Sequence, residues 1–316
     1  MRTRDKLLVV GVMLIWGGSF FMVKISLDHI PPLFFAFLRS LLVAVILVPF
    51  VRVPRGKFKE IALISVTFGS LHFPLMFIGL DGTDVAAAAI AVQLQVPFAV
   101  LLGVFFFRES LSWRQVAGIA VALAGMVMIF GAPNLAGGAI PLLMVIGASF
   151  AWAVASTQIK AAGPIDPFVL SGWVSLFSAP QILVATVLLE DGQWVALLNA
   201  DEVVFGSICY MAVVVSVFSY YVWYQQLQRH PVGQVVPFTL LVPVFGVASG
   251  VLFRDEPFTL GFASGSLLTL AGVAFIVLRE FQLPTVSARK RLLAWRNSEP
   301  AREQRDAQIG NTQTST

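Results

Sequence analysis

Ten polar or aromatic residues occur deep in apolar stretches of this sequence, and they are the first candidates for chemistry. Burying a polar group without a partner costs free energy, so each is predicted to face another helix or a water-filled cavity. Cations, amides, hydroxyls and aromatic rings of this kind can together bind a small polar molecule. We therefore predict a substrate site that draws on Trp16, Lys24, Arg39, His72, Gln93, Gln95, Trp152, Tyr220, Tyr224 and Thr239.

Arg39 lies about two turns inside an apolar segment, where a charge costs roughly 2.5–3.5 kcal/mol unless it meets an acceptor or water. One interpretation pairs it with a carboxylate of a flanking turn, Asp28, Asp81 or Asp84, or with freed carbonyl groups. The other places it at the outward end of a cavity, near Lys24, where its guanidinium fork binds a substrate carboxylate. Lys24 has its own structural alternative, an i, i+4 pair with Asp28.

Two tryptophans lie near the middle of their segments, away from the interfacial belt where membrane tryptophans concentrate. Trp16 and Trp152 each begin a row at i, i+4 and i+8 that ends in a lysine, Lys24 or Lys160. Each row occupies one helix face, which lines a cavity or packs against lipid and core. For the deep His, Gln, Tyr and Thr residues, the alternative to a cavity is interhelical hydrogen bonding.

The patterns of enzymes and ATP-driven transporters are missing from the sequence. It has no phosphate-cradling glycine-rich loop with lysine, no His-Glu-x-x-His pair and no Ser/His/Asp set suited to a membrane site. The single cysteine, Cys209, can form neither an intrachain disulfide nor a cysteine metal cluster. We predict that the protein is not an enzyme and uses no cofactor or metal.

The elements that must position these residues are membrane helices. Hydrophobic residues make up 58% of the chain and charged residues 12%, against roughly 25% charged in soluble domains. Each of ten apolar segments is close to the ~20 residues that cross a bilayer, so we predict an all-α integral membrane fold with ten transmembrane helices. They cover residues 6–27, 32–51, 60–80, 84–107, 113–131, 139–160, 167–189, 202–226, 233–253 and 258–279.

Basic residues predict the orientation of these helices. With both termini cytoplasmic, 18 of the 21 Lys and Arg residues lie on the inside, all except Lys24, Arg39 and Arg254. The net charge of +4 is distributed between apolar segments and the tail, which argues against nucleic acid as a partner. The first segment follows basic residues as in a signal peptide, but its apolar run is too long and lacks a small-residue cleavage site.

A repeat near half the chain length predicts the architecture. Residues 96–129 and 242–276 each contain an apolar helix, a charged turn and a second apolar helix, while Trp16 matches Trp152 and Pro31 matches Pro167. Each half of the chain therefore holds five spans. Because five is an odd number, the second half enters the membrane in the opposite sense, as in many secondary transporters. The predicted divisions are 1–131, the first five-helix repeat; 139–280, the second and inverted repeat; and 281–316, a basic, disordered cytoplasmic tail.

Small residues and prolines suggest how the helices pack. GxxxG motifs at 246–250 and 261–265 allow close helix approach, which we predict occurs within a monomer; a dimer contact is the alternative. Pro97, Pro237 and Pro243 interrupt two spans and free carbonyl groups, which either line a cavity or mark simple kinks.

Three segments resemble EamA-type proteins of the drug/metabolite transporter superfamily: LIWGGSFFMVKISLDHIPPLFFAFLRSLLVA, VPFAVLLGVFFFRESLSWRQVAGIAVALAGMVMI and LLVPVFGVASGVLFRDEPFTLGFASGSLLTLAGVAFIVL. The resemblance spans about residues 6–280 and is most like the family's bacterial exporters of O-acetylserine and cysteine. It implies two inverted five-helix domains around a central substrate cavity. The turn after the ninth helix reads Asp255-Glu256-Pro257, where the family usually has Glu-Arg.

These observations predict a secondary transporter of the inner membrane, with the lipid bilayer around it and a small-molecule substrate. We expect it to export small amino acids or related metabolites by alternating access. Alternatives are an uptake permease for a sugar or nucleoside, an integral-membrane enzyme acting on lipid intermediates, and a structural or channel-forming protein. The hydrophobic portions of the spans contain no Asp or Glu, which argues against a cationic drug as substrate.

Overall fold

Ten long helices follow one another along the chain in a computed structural model that describes residues 1–108, 111–130, 138–230 and 235–280. Eight of them are long and apolar enough to cross a membrane, and the two helices in the regions Trp113–Ile129 and Phe238–Phe253 are shorter but also apolar. The described residues contain no β-strand. The predicted all-α, ten-helix membrane fold is therefore confirmed.

The helices of the first repeat are α1 Thr3–Leu27, α2 Pro32–Leu47 with a 3₁₀ turn Val48–Phe50, α3 Phe58–Asp81, α4 Val85–Phe107 and α5 Trp113–Phe130. Those of the second repeat are α6 Ala139–Ala162, α7 Pro167–Leu189, α8 with its three consecutive segments Glu202–Cys209, Tyr210–Ser219 and Tyr220–Arg229, α9 with Val236–Leu240 and Leu241–Phe253, and α10 Leu260–Glu280. A short helix, Gln193–Leu198, precedes α8. The predicted tail, residues 281–316, lies outside the described residues.

Corresponding helices of the two repeats are irregular at corresponding places. The third helices, α3 and α8, contain π-helical segments at Ser65–His72 and Tyr210–Ser219. The fourth helices, α4 and α9, contain 3₁₀ segments that end a few residues before Pro97 and Pro243. Proline lacks an N–H group and its ring clashes with the carbonyl four residues earlier, so it is tolerated best in the first turn of an α-helix, where Pro97 and Pro243 both lie after the 3₁₀ segments. The two prolines therefore mark the change from 3₁₀ to α-helical geometry in α4 and α9.

Helix packing follows the same internal symmetry. The second helices of the repeats, α2 and α7, pack on each other; α1 packs on α9, and α4 packs on α6. Gly118 and Gly125 of α5 face Gly272 and Gly265 of α10, and a Cβ atom on Gly125 would lie 2.6 Å from the Gly265 carbonyl oxygen. Such close backbone approach is possible only with glycine at the crossing.

The GxxxG motifs are used mostly inside the subunit. Gly246 faces Ala89, Gly250 faces Glu256, and Gly265 faces α5, whereas Gly261 has only Thr259 nearby. Intrasubunit packing thus accounts for three of the four glycines. The monomeric state stays a prediction.

The two ends of the helix bundle differ in charge. One end, which we call the basic end, carries the start of α1 and the turns between α2 and α3 and between α6 and α7, with Arg52, Lys57 and Lys160. The opposite end, the acidic end, carries the turns after α1, α3, α7 and α9, with Asp28, Asp81, Asp84, Glu190, Asp255 and Glu256.

Candidate substrate site

A cavity lies among α2, α3, α6, α7 and α8. Its volume, measured as the space open to water, is about 130 Å³. Its lining extends from Arg39 and Ser216, in the middle of their helices, to Ile159 and Pro167 at the basic end. The lining of the cavity therefore reaches from the middle of the bundle to the basic end.

Arg39 is the charged group of this cavity. Its side chain is buried, with 5% of the residue exposed. Nη2 donates to the Ser216 hydroxyl at 2.8 Å, and the guanidinium carbon lies 3.7 Å from the centre of the Phe73 ring. Nε has no hydrogen-bond partner among the described atoms. No carboxylate pairs with Arg39 in the described parts of the chain, where Asp28 pairs with Arg254 at 2.9 Å instead.

The π-helical segment of α8 positions the hydroxyl that binds Arg39. Ser216 donates its own proton to the Met211 carbonyl, five residues earlier, at 2.8 Å. Its oxygen lone pairs are therefore left to accept from Arg39. On the opposite wall, the π-helical segment of α3 brings Gly69 so close to Ser178 of α7 that a Cβ atom would lie 2.3 Å from the serine Cβ. π-helical turns of this kind are frequent at functional sites.

Six serines provide most of the other polar groups in the cavity. Three of them occupy one face of α7 at i, i+4 and i+7, and this spacing in an apolar helix could have been found in the sequence. Ser156 already belonged to the Trp152 row, but the rest were missed. The six are Ser40, Ser156, Ser171, Ser175, Ser178 and Ser216.

Aromatic rings complete the walls. Trp152 and Tyr220 line the cavity, together with Phe68, Phe73 and Phe168. Flat rings offer apolar contact and can hold a cation over their faces. The site thus combines one guanidinium group, several hydroxyls and an aromatic surface.

The predicted site residues are distributed unevenly around this cavity. Arg39, Trp152 and Tyr220 line it. Trp16 is one layer away, with its ring centre 5.5 Å from that of Tyr220, and His72 stacks on Phe68 while its Nδ1 lies 2.9 Å from the Ala148 carbonyl oxygen. Gln93 and Gln95 of α4 and Thr239 of α9 are not among the lining residues, and the Tyr224 side chain lies outside the described structure.

Lys24 lies at the acidic end and is also absent from the lining. Its ammonium group donates to the carbonyl oxygens of Leu80, Asp81 and Thr83 at 2.8, 2.6 and 3.1 Å. A cation at the carbonyl end of a helix is stabilised by the helix dipole. Lys24 of α1 therefore caps α3, and the pair with Asp28 considered from the sequence is replaced by the Arg254–Asp28 ion pair.

Two distant carboxylates cap helix N-termini at the same end. Glu256 accepts from the backbone N–H groups of Val85 and Ala86 at 2.6 and 2.8 Å, and Glu190 accepts from those of Leu33 and Phe34 at 2.7 and 3.0 Å. Burial raises the pKa of Glu256, although its two backbone hydrogen bonds act in the opposite direction. Each cap joins residues more than 150 positions apart, so local sequence patterns could not predict it.

Ten apolar helices around a cavity lined by a cation, hydroxyls and aromatic rings indicate a multi-pass membrane protein that can hold a small molecule. The model of the EamA-like transporter family matches residues 6–131 and 139–278. The chain belongs to this family.

Two relatives share most of their length with this chain. A "Probable amino-acid metabolite efflux pump" of Salmonella typhimurium strain LT2 is 31% identical over 284 residues, which cover 86% of this chain and 94% of the relative. A protein of the same description from Escherichia coli strain K12 is 30% identical, with the same coverage. A solved crystal structure superposes with a TM-score of 0.61 at 20% identity, over 88% of this chain and 99% of the other, and supports the fold.

Proposed function

We propose that this protein exports a small carboxylate-bearing metabolite related to amino acids across the inner membrane by alternating access. The observation that carries the proposal is the buried Arg39, which lines the cavity and has no carboxylate partner among the described residues. A buried charge costs several kcal/mol, on the order of 3–5, when its partner is missing. A substrate carboxylate supplies the partner and can accept two parallel N–H bonds from the guanidinium fork.

The two relatives support the same substrate class, because each is described as a "Probable amino-acid metabolite efflux pump". The cavity adds contacts for the remainder of such a molecule. Trp152 and Tyr220 offer apolar surface, and the serines of α7 offer hydrogen bonds to polar substituents. In this assignment Arg39 is the anchor, and the other lining residues limit size and shape.

The position of the cavity suits loading from the cytoplasm. Excess Lys and Arg at the basic end favours a cytoplasmic location for that end, with both termini inside. The cavity extends towards this end, whereas Lys24, Arg254 and Glu256 join neighbouring helices at the acidic end. We therefore assign the structure to the inward-facing state, and rearrangement of the two repeats would carry the substrate outwards.

Arg39→Lys tests the anchor, because lysine keeps the charge but cannot form the bidentate pair. We expect normal membrane insertion and at least about a tenfold loss of transport in proteoliposomes, on the order of one lost charged hydrogen bond. Arg52→Lys, at the basic end, is the matched control. Amino-acid carboxylates should compete for transport while the corresponding amides do not. Equal competition by acids and amides would show that no cation binds the carboxylate.

The lining also suits a second candidate, uptake of a sugar or nucleoside. Serine hydroxyls and aromatic rings are common partners of such neutral, hydroxyl-rich molecules, and the cavity provides both. This alternative leaves Arg39 without its counter-charge. Competition by neutral sugars or nucleosides that survives Arg39→Lys would favour it.

A further inference from the structure

The charge of the cavity lining is unbalanced. Arg39 is the one Lys, Arg, Asp or Glu among the residues that line it, and the remaining polar side chains are six serines and Tyr220, with the indole N–H of Trp152. A closed cavity with its ligand is most stable when the charges inside it sum to zero, because each uncompensated charge in a low-dielectric interior is costly. The lining therefore matches a ligand with one negative charge.

A second argument concerns what an ammonium group would require. At the acidic end this same chain stabilises the Lys24 ammonium with three carbonyl oxygens within 3.1 Å. The side chains that line the cavity in the described part of the chain include no carboxylate to pair with an ammonium group. Ser156, Ser178 and Ser216 donate their protons to carbonyl oxygens of their own helices, so those carbonyl oxygens already accept a hydrogen bond from a side chain. Hydroxyl groups and rings can contact an ammonium group but do not neutralise it.

The lining offers better hydrogen-bond partners to neutral polar groups than to an ammonium group. The hydroxyls of Ser171 and Ser175 make no hydrogen bond with the described residues and line the same cavity as Arg39. A hydroxyl both donates and accepts, so it suits an alcohol or an amide equally. These two serines of α7 are therefore placed to bind the uncharged end of a molecule whose carboxylate binds Arg39.

We propose that the preferred substrate is a monoanion, a small carboxylate whose second polar group is uncharged, such as a hydroxy acid or an N-acylated amino acid, rather than a zwitterion. This inference rests on the proposed function, because it needs Arg39 as the carboxylate anchor. Ser171 and Ser175 are then specificity-determining residues. A zwitterion would leave the cavity with a net positive charge and its ammonium group without an ionic acceptor.

Five closely matched probes test the proposal with the full-length protein in detergent: lactate, N-acetylalanine, alanine, lactamide and alaninamide. Ligand binding stabilises the folded protein by RT ln(1 + [L]/Kd) and so raises the thermal unfolding midpoint, and a titration therefore gives relative affinities without any transport. We expect lactate and N-acetylalanine to act at concentrations at least about tenfold below alanine, with no effect of the amides. The same order should appear in competition experiments with proteoliposomes.

A gain of function sharpens the test. Ser171→Asp introduces the missing carboxylate into the lining and should raise the affinity for alanine relative to that for lactate by about tenfold or more. The uncharged Ser171→Asn should leave the order of the affinities unchanged. If Ser171→Asp does not fold, the wild-type series still decides. An affinity for alanine equal to or higher than that for both monoanions would overturn this inference alone. Amides as effective as the acids overturn the proposed carboxylate anchor itself, and this inference with it.

Discussion

Lys24 provides the sharpest test of how the acidic end stays closed. Its ammonium group joins α1 to the carbonyl end of α3 through three hydrogen bonds, to Leu80, Asp81 and Thr83. Lys24→Met keeps the length of the side chain and removes both the charge and the donors. We expect this variant to shift the conformational equilibrium towards a state that is open at the acidic end.

The magnitude follows from the contacts. Hydrogen bonds to charged groups contribute roughly 1.5–3 kcal/mol. Lys24 is half-buried, so water replaces part of the interaction, and a net loss of about 1–2 kcal/mol is reasonable. Since about 1.4 kcal/mol corresponds to a tenfold change in an equilibrium constant, the open-to-closed ratio should rise about five- to thirtyfold.

The chain offers a convenient reporter for this change. Thr83 is buried next to Lys24, with 1% of the residue exposed, and Thr83→Cys places a smaller side chain with a reactive thiol at this position. The native Cys209 is first replaced by serine, which leaves the new thiol as the single one in the chain. Labelling by a membrane-impermeant maleimide should then accelerate in Lys24→Met by the same five- to thirtyfold factor, when opening and closing are fast compared with the labelling reaction.

Lys160 supplies the matched control because it corresponds to Lys24 in the second repeat. It lies at the basic end, with its ammonium 4.2 Å from the centre of the Phe107 ring. Lys160→Met should not accelerate labelling at position 83, and Lys24→Arg should restore slow labelling. Unchanged labelling in Lys24→Met would refute the assignment of Lys24 to closure of the acidic end.

Three further predictions address charge, packing and orientation. Burial raises the pKa of Glu256 in the folded state. The stabilising contribution of Glu256 is therefore fully present below its unfolded-state pKa and is lost as pH rises through the higher folded-state pKa. Thermal midpoints of the wild type should fall relative to those of Glu256→Gln across that pH interval. Gly272→Ala places a Cβ atom 2.5 Å from the Ala122 nitrogen and should destabilise the α5–α10 crossing by about 1–3 kcal/mol, whereas Gly11→Ala, with nothing within 4 Å, should be tolerated in the same detergent-stability assay. Reporter fusions at Ala136, which lies outside the described residues, should report the outer side, and a cytoplasmic signal there would contradict the assigned topology.

The fold was predictable because the sequence features that determine it are local. Apolar length gives each helix, and the paired motifs around Pro97 and Pro243 give the repeat. Long-range capping was not predictable in the same way. Glu256 accepts hydrogen bonds from the start of α4, 171 residues earlier, and no local pattern indicates such a partner.

The site was predicted in part, and the difference has a physical reason. Arg39 and Trp152 are costly or unusual in the middle of a membrane helix, so their depth alone suggested a cavity. Serine hydroxyls can satisfy themselves on a carbonyl of their own helix, as Ser156 does on Trp152, so depth gives no comparable indication for them. Gln93 and His72 show the converse, since both are buried yet neither lines the cavity.

The inverted repeat builds a symmetric scaffold, but the cavity within it is chemically asymmetric. The offset of 136 residues that relates Trp16 to Trp152 and Pro31 to Pro167 also relates Arg39 to Ser175, and both members of this last pair line the same cavity. One repeat thus supplies a cation where the other supplies a hydroxyl. A substrate that binds both positions must itself have two different ends. Alternating access requires only the symmetry of the helices, so the chemistry of the two equivalent positions was free to diverge and to give the substrate a fixed orientation.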